Sequence, residues 1–250
     1  NLPATVAVLK VVKADAAIRK EGPIKTFRFL HALSSCEPSS GPSQGSQTVT
    51  IKGSGFDKRV ESVYTSRFTG PGGLHVSSGP CTVNVPAQAL LCTTPKWPYP
   101  SSNTTVTVWT DDGLIGGSNL SYSFLPSCTS VSPDSSYAGE TTNVSISGQG
   151  FRQGQLVKCS FNYLGSTENQ SIAQHRHIGG GESIFYCPTP LWRLQGCANA
   201  SDDCTRRAHV ELEVSGTVVC SLNFTFLSEM TGIFPTKGLA AGGNPVTIAG

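Results

Sequence analysis

Apolar residues occupy every second position in short runs, and one such run returns along the chain. Thr48-Val49-Thr50-Ile51 reappears as Asn143-Val144-Ser145-Ile146 and again as Pro245-Val246-Thr247-Ile248, at steps of 95 (Val49 to Val144) and 102 (Val144 to Val246). A period of two belongs to a strand with one buried face. The first two copies close on Gly53-Ser54-Gly55-Phe56 and Gly148-Gln149-Gly150-Phe151, a glycine turn that delivers one aromatic side chain. A second alternating element recurs at the same steps: Phe27-Arg28-Phe29-Leu30, Tyr122-Ser123-Phe124-Leu125 and Phe224-Thr225-Phe226-Leu227. Pro38, Pro133 and Pro235 keep the same register.

This repetition divides the chain. Residues 1–32 read as the closing hairpin of a preceding repeat, 33–125 and 126–227 as two complete repeats, and 228–250 as the start of another. In the first complete repeat a strand is expected over Val60 to Phe68, a Gly-Pro-Gly-Gly loop at 70–73, and a short segment near His75. Thr104–Thr110 and Asn119–Leu125 then form a terminal hairpin across Asp111-Asp112-Gly113. The second repeat keeps step with the first as far as Trp192 and is then seven residues longer (102 − 95), the excess falling at 195–205 around Cys197, Asn199 and Cys204. Repeats of about this length have the size of a small β-sandwich.

Composition supports a turn-rich all-β chain: 27 Gly, 16 Pro, 38% hydrophobic and only 14% charged residues. The formal charge of +2 is spread along the sequence, which excludes an electrostatic footprint for nucleic acid or an anionic membrane. Arg19, Lys20, Lys25 and Arg28 read as a solvated hairpin end. Nine cysteines without a Cys-x-x-Cys pair favour an oxidising compartment over zinc or redox chemistry. Six Asn-x-Ser/Thr acceptors, Asn103, Asn119, Asn143, Asn169, Asn199 and Asn223, agree with a secretory glycoprotein. No apolar run is long enough to span a bilayer, and both ends fall inside a repeat, so the expectation is a fragment of a longer ectodomain.

The order of these pieces resembles the IPT/TIG domain, an immunoglobulin-like fold found in plexins, hepatocyte-growth-factor-type receptors, fibrocystin-like proteins and Rel-type transcription factors. The residues that carry the resemblance are Ser39-Ser40-Gly41-Pro42 with Thr48–Phe56, Cys92–Pro95 and Tyr122–Leu125; Asn143–Phe151, Cys187–Pro190 and Phe224–Leu227 answer them. The resemblance implies tandem immunoglobulin-like β-sandwiches, and the cysteines and acceptors point away from the nuclear branch. In one departure, Asp134-Ser135-Ser136-Tyr137 stands where the opening loop usually has Gly-Pro. With bridges kept inside each repeat, the pairs are Cys81 with Cys92, Cys159 with Cys187, Cys197 with Cys204 and Cys128 with Cys220. Cys36 is left over, with three fates open: a bridge to a preceding region, a bridge to another chain, or a free thiol.

Catalytic and metal chemistry find little footing. His175-x-His177 lacks an obvious third ligand and reads as part of a mobile loop beside Gly179-Gly180-Gly181. Asp111-Asp112 and Asp202-Asp203 fall in turns, where aspartate bonds its own backbone. There is no Gly-x-Ser-x-Gly elbow, and the triple glycine does not open a helix. Trp97 and Trp192 hold equivalent positions, which favours packing against the closing hairpin over an exposed anchor. The expectation is a non-catalytic extracellular segment of a cell-surface or secreted glycoprotein that binds protein partners and carries N-linked glycans, with no cofactor, nucleic acid or membrane insertion. The alternative is a spacer or subunit of an extracellular or ciliary filament, whose partners are neighbouring copies. An enzyme with its catalytic domain elsewhere ranks third. On the alternation at Asn143, a sugar there shields one sheet of the second repeat and leaves its loops and other sheet for contact.

Overall fold

The computed structural model describes residues 6–9, 25–28, 30–57, 63–115, 120–163, 166–191, 206–228 and 232–249. They fall into two compact units, residues 1–97 with 101–125, and residues 98–100 with 126–250. Nearly every element is a strand, as the alternation predicts.

The first unit begins with an antiparallel hairpin of β1 (Val6–Leu9) and β2 (Lys25–Arg28). Then come β3 (Ala32–Glu37), β4 (Ser40–Pro42), β5 (Thr48–Ser54), β6 (Tyr64–Thr69) and β7 (His75–Asn84). β8 (Ala89–Thr93), β9 (Asn103–Thr110), β10 (Gly113–Leu114) and β11 (Leu120–Leu125) complete it. One sheet has the order β3-β5-β8-β7 and the other β7-β6-β9-β11-β4, with β10 on β9. β7 belongs to both: residues 75–81 pair with β6, and residues 82–84 pair with β8. The segment expected to be short near His75 is therefore a ten-residue strand that carries the chain from one sheet to the other. The strand expected from Val60 is described from Tyr64, since 58–62 lie outside the described residues. The Asp111-Asp112 turn joins β9 to β10, while β11 pairs with β9 further on, so the terminal hairpin is wider than the sequence suggests.

In the second unit β12 (Ser127–Ser132), β13 (Ser135–Tyr137), β14 (Asn143–Gln149), β15 (Val157–Tyr163) and β16 (Ser166–Ile172) come first. β17 (Gln174–Gly179), β18 (Glu182–Pro188), β19 (Arg206–Val214) and β20 (Thr217–Leu227) follow, and then the pair β21 (Gly232–Phe234) and β22 (Thr247–Ala249). The sheets are β12-β14-β18-β17 and β13-β20-β19-β15-β16. Among the described residues no strand is shared between them. What is one strand, β7, in the first unit is two here, β16 and β17, parted at Ala173, whose N–H donates to Val157 O at 3.0 Å. β13 runs parallel to β20 as β4 runs parallel to β11, so the Asp134–Tyr137 departure leaves the strand intact. The Glu37-Pro38, Ser132-Pro133 and Phe234-Pro235 bonds are all cis, at the steps that mark the repeat.

Alternation puts the cores where the sequence places them. Val49, Ile51, Val144 and Ile146 are fully buried, as are Phe124 and Phe226 on the closing strands. Burying a large apolar side chain of this kind contributes roughly 1.5–3 kcal/mol. Phe68, Tyr122 and Phe124 meet edge to face at 4.9–5.4 Å in the first unit. In the second, Phe161, Phe224 and Phe226 do the same at 5.1–5.7 Å.

The glycine turn explains itself in both units. A Cβ on Gly53 would stand 2.3 Å from Ala32 O, and one on Gly148 would stand 2.6 Å from the Phe151 ring, so the closing aromatic packs where a side chain would be. Gly55 and Gly150 have φ of 88° and 85°, the left-handed region that glycine enters at no steric cost.

Candidate functional site

The residues singled out by the sequence are bridges, glycan acceptors and a few polar clusters. Among the described residues three disulfides form: Cys81–Cys92, Cys128–Cys220 and Cys159–Cys187. These are pairs the sequence reading proposes; Cys197 and Cys204 lie outside the described residues. Their placement differs between units. Cys81 and Cys92 link neighbouring strands β7 and β8, where β7 changes sheets. Cys159 on β15 and Cys187 on β18 belong to opposite sheets, as do Cys128 on β12 and Cys220 on β20.

A substitution in the repeat accounts for this. The residue 95 before Cys159 is Tyr64, so Cys92, the counterpart of Cys187, has no thiol facing it across the core. Tyr64 is buried there, edge to face with Phe56 at 5.7 Å. Its hydroxyl accepts the Asp57 N–H at 3.1 Å and lies 3.4 Å from His31 Nε2. Burial holds the His31 imidazole below its ordinary pKa.

Cys36 is a free thiol, buried on β3 opposite Ile51. Burial first, and the Glu37 carboxylate second, push its pKa up to about 11, so it stays protonated and behaves as a small apolar side chain. Among the described residues of this chain it has no disulfide partner.

Three acceptors have described side chains, and all are exposed. Asn103 opens β9, Asn143 opens β14, and Asn223 lies on β20. Each is followed by a buried residue, Thr104, Val144 or Phe224, so alternation turns the asparagine outward. Asn143 and Asn223 sit on different sheets of the second unit. Asn223 faces out from the other sheet, so a sugar there as well as on Asn143 would shield both sheets of the unit. Asn169 lies on β16 with its side chain undescribed, and Asn119 and Asn199 fall outside the described residues.

His175 and His177 stand on strand β17, not in a loop. This is an edge strand paired to β18, and its polar, glycine-ended sequence hides the strand from an alternation test. The His175 ring stacks on Phe185 at 4.7 Å, and its Nε2 is buried without a partner. Desolvation, then the neighbouring His177 charge, lower its pKa. The triple glycine does follow a strand, and it turns into another strand rather than a helix. Asp111 and Asp112 are exposed in the β9–β10 turn, while Asp202 and Asp203 lie outside the described residues. Among the described residues no group of three or more His, Cys, Asp or Glu side chains is placed to hold a metal ion.

Trp97 is fully buried and stacks on Phe124 of the closing strand at 4.8 Å and 7°; Trp192 lies outside the described residues. The packing reading of Trp97 is the structural one. Sequence reasoning passed over Arg67 and Trp109, which strand pairing brings together across 42 positions (109 − 67). No local motif signals such a pair; the cue was a tryptophan at an outward position of a predicted strand.

Two sheets of alternating strands, with a parallel opening strand and an aromatic closing strand, define an immunoglobulin-like sandwich. Residues 32–124 match the family model of the IPT/TIG domain, and the chain carries an IPT/TIG domain there. A search of curated proteins finds no match. Among solved structures, the chain is similar to the full extracellular region of plexin A4, with 17% identity and a TM-score of 0.31 over 96% of this chain and 22% of that one. It is also similar to the Yersinia pseudotuberculosis adhesin InvE, with 13% identity and a TM-score of 0.30 over 78% of this chain and 58% of that one. The chain thus spans about a fifth of the plexin structure and under two thirds of the adhesin. Among the described residues no helix is long and apolar enough to cross a membrane.

Proposed function

We propose that the chain is a non-catalytic repeat segment of an extracellular glycoprotein that binds protein partners through its sandwich faces. The observation that carries this reading is the joint placement of bridges and acceptors. Disulfides persist in oxidising compartments, and the described acceptors are all exposed on outward positions of their strands. The second unit carries such an acceptor on each sheet. The first carries one among its described residues, at the start of β9.

The filament alternative drew on Cys36 as a link between chains. Its burial and protonated state favour the binding reading instead.

Secretion of the full chain from eukaryotic cells tests the proposal. The expected outcome is glycopeptides at Asn103, Asn143 and Asn223, a single free thiol at Cys36 among the described cysteines, and saturable binding to a panel of cell surfaces. Unoccupied acceptors together with free thiols at the six bridged cysteines would overturn the extracellular assignment. Absence of binding to any surface would overturn the binding role.

A further inference from the structure

On the second sheet of the first unit, Thr65, Arg67 and Thr69 of β6 and Thr105, Thr107 and Trp109 of β9 share the outer face, since the residues between them are buried. The Arg67 guanidinium carbon lies 4.3 Å from the centroid of the Trp109 ring. Trp109 Nε1 donates to Thr107 Oγ1 at 3.1 Å, and Thr107 Oγ1 donates to Arg67 O at 3.5 Å. The indole is fixed by these bonds, and the guanidinium lies over it in the geometry of a cation–π pair.

Two observations separate this pair from ordinary scaffold. Arg67 Nε is buried with no hydrogen-bond partner, and among the described residues no carboxylate pairs with the guanidinium. A buried donor without a partner is destabilising. The second unit is an internal control. Ser160↔Glu211 and Asn162↔His209 repeat the register of Thr65↔Trp109 and Arg67↔Thr107, so the same fold accepts Asn162 and Glu211 at these two places. Packing of the sandwich does not call for an arginine or a tryptophan there.

We propose that Arg67 and Trp109 anchor a docking face for an acidic segment of a protein partner. The proposal rests on the binding-module reading and names the partner class. Tryptophan and arginine are the residue types that dominate interface energetics, and a guanidinium held flat presents its free N–H groups to a carboxylate in the bidentate manner. Leu114, paired with Trp109 and 55% exposed, extends the anchor with apolar surface. Asn103 stands at the other end of β9, six residues and so about 20 Å from Trp109.

The test titrates the full chain with a fluorescein-labelled peptide of alternating glutamate and leucine, its lysine counterpart, and heparin, read by fluorescence anisotropy. Arg67→Asn and Trp109→Glu install the residues of the second unit and so preserve folding, which a thermal melt checks; Arg67→Gln serves if either fails to fold. The acidic peptide is expected to bind, each variant to weaken it at least tenfold, and the lysine peptide not to bind. Equal binding by wild type and variants overturns the proposal. Heparin binding lost with the same substitutions overturns the protein assignment in favour of a sulfated polysaccharide, and self-association lost with Arg67→Asn overturns it in favour of a second copy. Cell-surface binding that survives both substitutions removes this face while leaving the binding-module reading standing.

Discussion

The two units build the same sandwich and fasten it differently. In the first, β7 runs through both sheets, so main-chain hydrogen bonds join them at that edge, and the Cys81–Cys92 bridge pins the crossing. In the second, the corresponding stretch is parted at Ala173, and two bridges run from sheet to sheet instead. Loop-closure entropy scales the difference. Sequence separations of 92 and 28 residues correspond to about 4–5 and 3–4 kcal/mol in the chain-entropy model, against about 3 for the 11-residue separation of the first unit. Continuity of one strand and covalent links across a core are thus alternative ways of closing one fold, and Tyr64 in the place of Cys159 marks the exchange.

If the cores are equivalent, they should respond alike to the largest perturbation. Phe124→Ala and Phe226→Ala are each expected to cost roughly 3–5 kcal/mol, measured by denaturant unfolding followed with probes in each unit. A cost confined to one unit's substitution would break the equivalence.

The glycine turn offers a smaller version of the same comparison. Gly53→Ala and Gly148→Ala force a Cβ into Ala32 O and the Phe151 ring respectively, and an overpacked site of this kind costs roughly 1–3 kcal/mol. Similar melting-temperature losses are expected in both. A neutral Gly53→Ala would show that the first unit's turn relaxes where the second's does not.

Exchanging the fastening sharpens the contrast further. Tyr64→Cys combined with Cys81→Ser should let the introduced thiol bridge Cys92 across the core, at a net loss of roughly 2–4 kcal/mol, since the longer loop adds only about 1 kcal/mol against the lost ring packing. Non-reducing peptide mapping checks it, and a persistently free Cys92 would show that position 64 is not equivalent to 159.

The smallest effect is acid sensitivity. His31 and His175 both titrate below the ordinary imidazole range because burial disfavours their charged form. The stability each contributes is present above about pH 6.5 and is lost as pH falls through its folded pKa. A shallow decline in melting temperature from pH 7 toward pH 5 is expected in both units. His175→Phe should flatten the second unit's share, and an unchanged slope would remove His175 from the account.

What the sequence made legible follows from what alternation encodes. Val49 and Ile51, Val144 and Ile146, and the Phe-x-Phe-like closing strands each carry their own period, so their faces and burial could be read locally. β7 and β17 could not. His75–Asn84 alternates poorly because its two halves face different neighbours, and Gln174–Gly179 is an edge strand with polar residues on both faces. The Tyr64-for-Cys159 exchange was visible in the repeat register but carries meaning only when β6 and β15 are seen opposite β8 and β18. Arg67 and Trp109 meet only through β6–β9 pairing, which no local pattern specifies.

Hydrogen exchange on the full chain with and without reductant tests the contrast most directly. Reduction is expected to strip protection from β12, β14, β18 and β20 of the second unit while β6, β7 and β9 of the first stay protected. Loss of protection in β7 before the second unit, or a second unit unchanged by reduction, would contradict the claim that sulfur does there what a continuous strand does in the first.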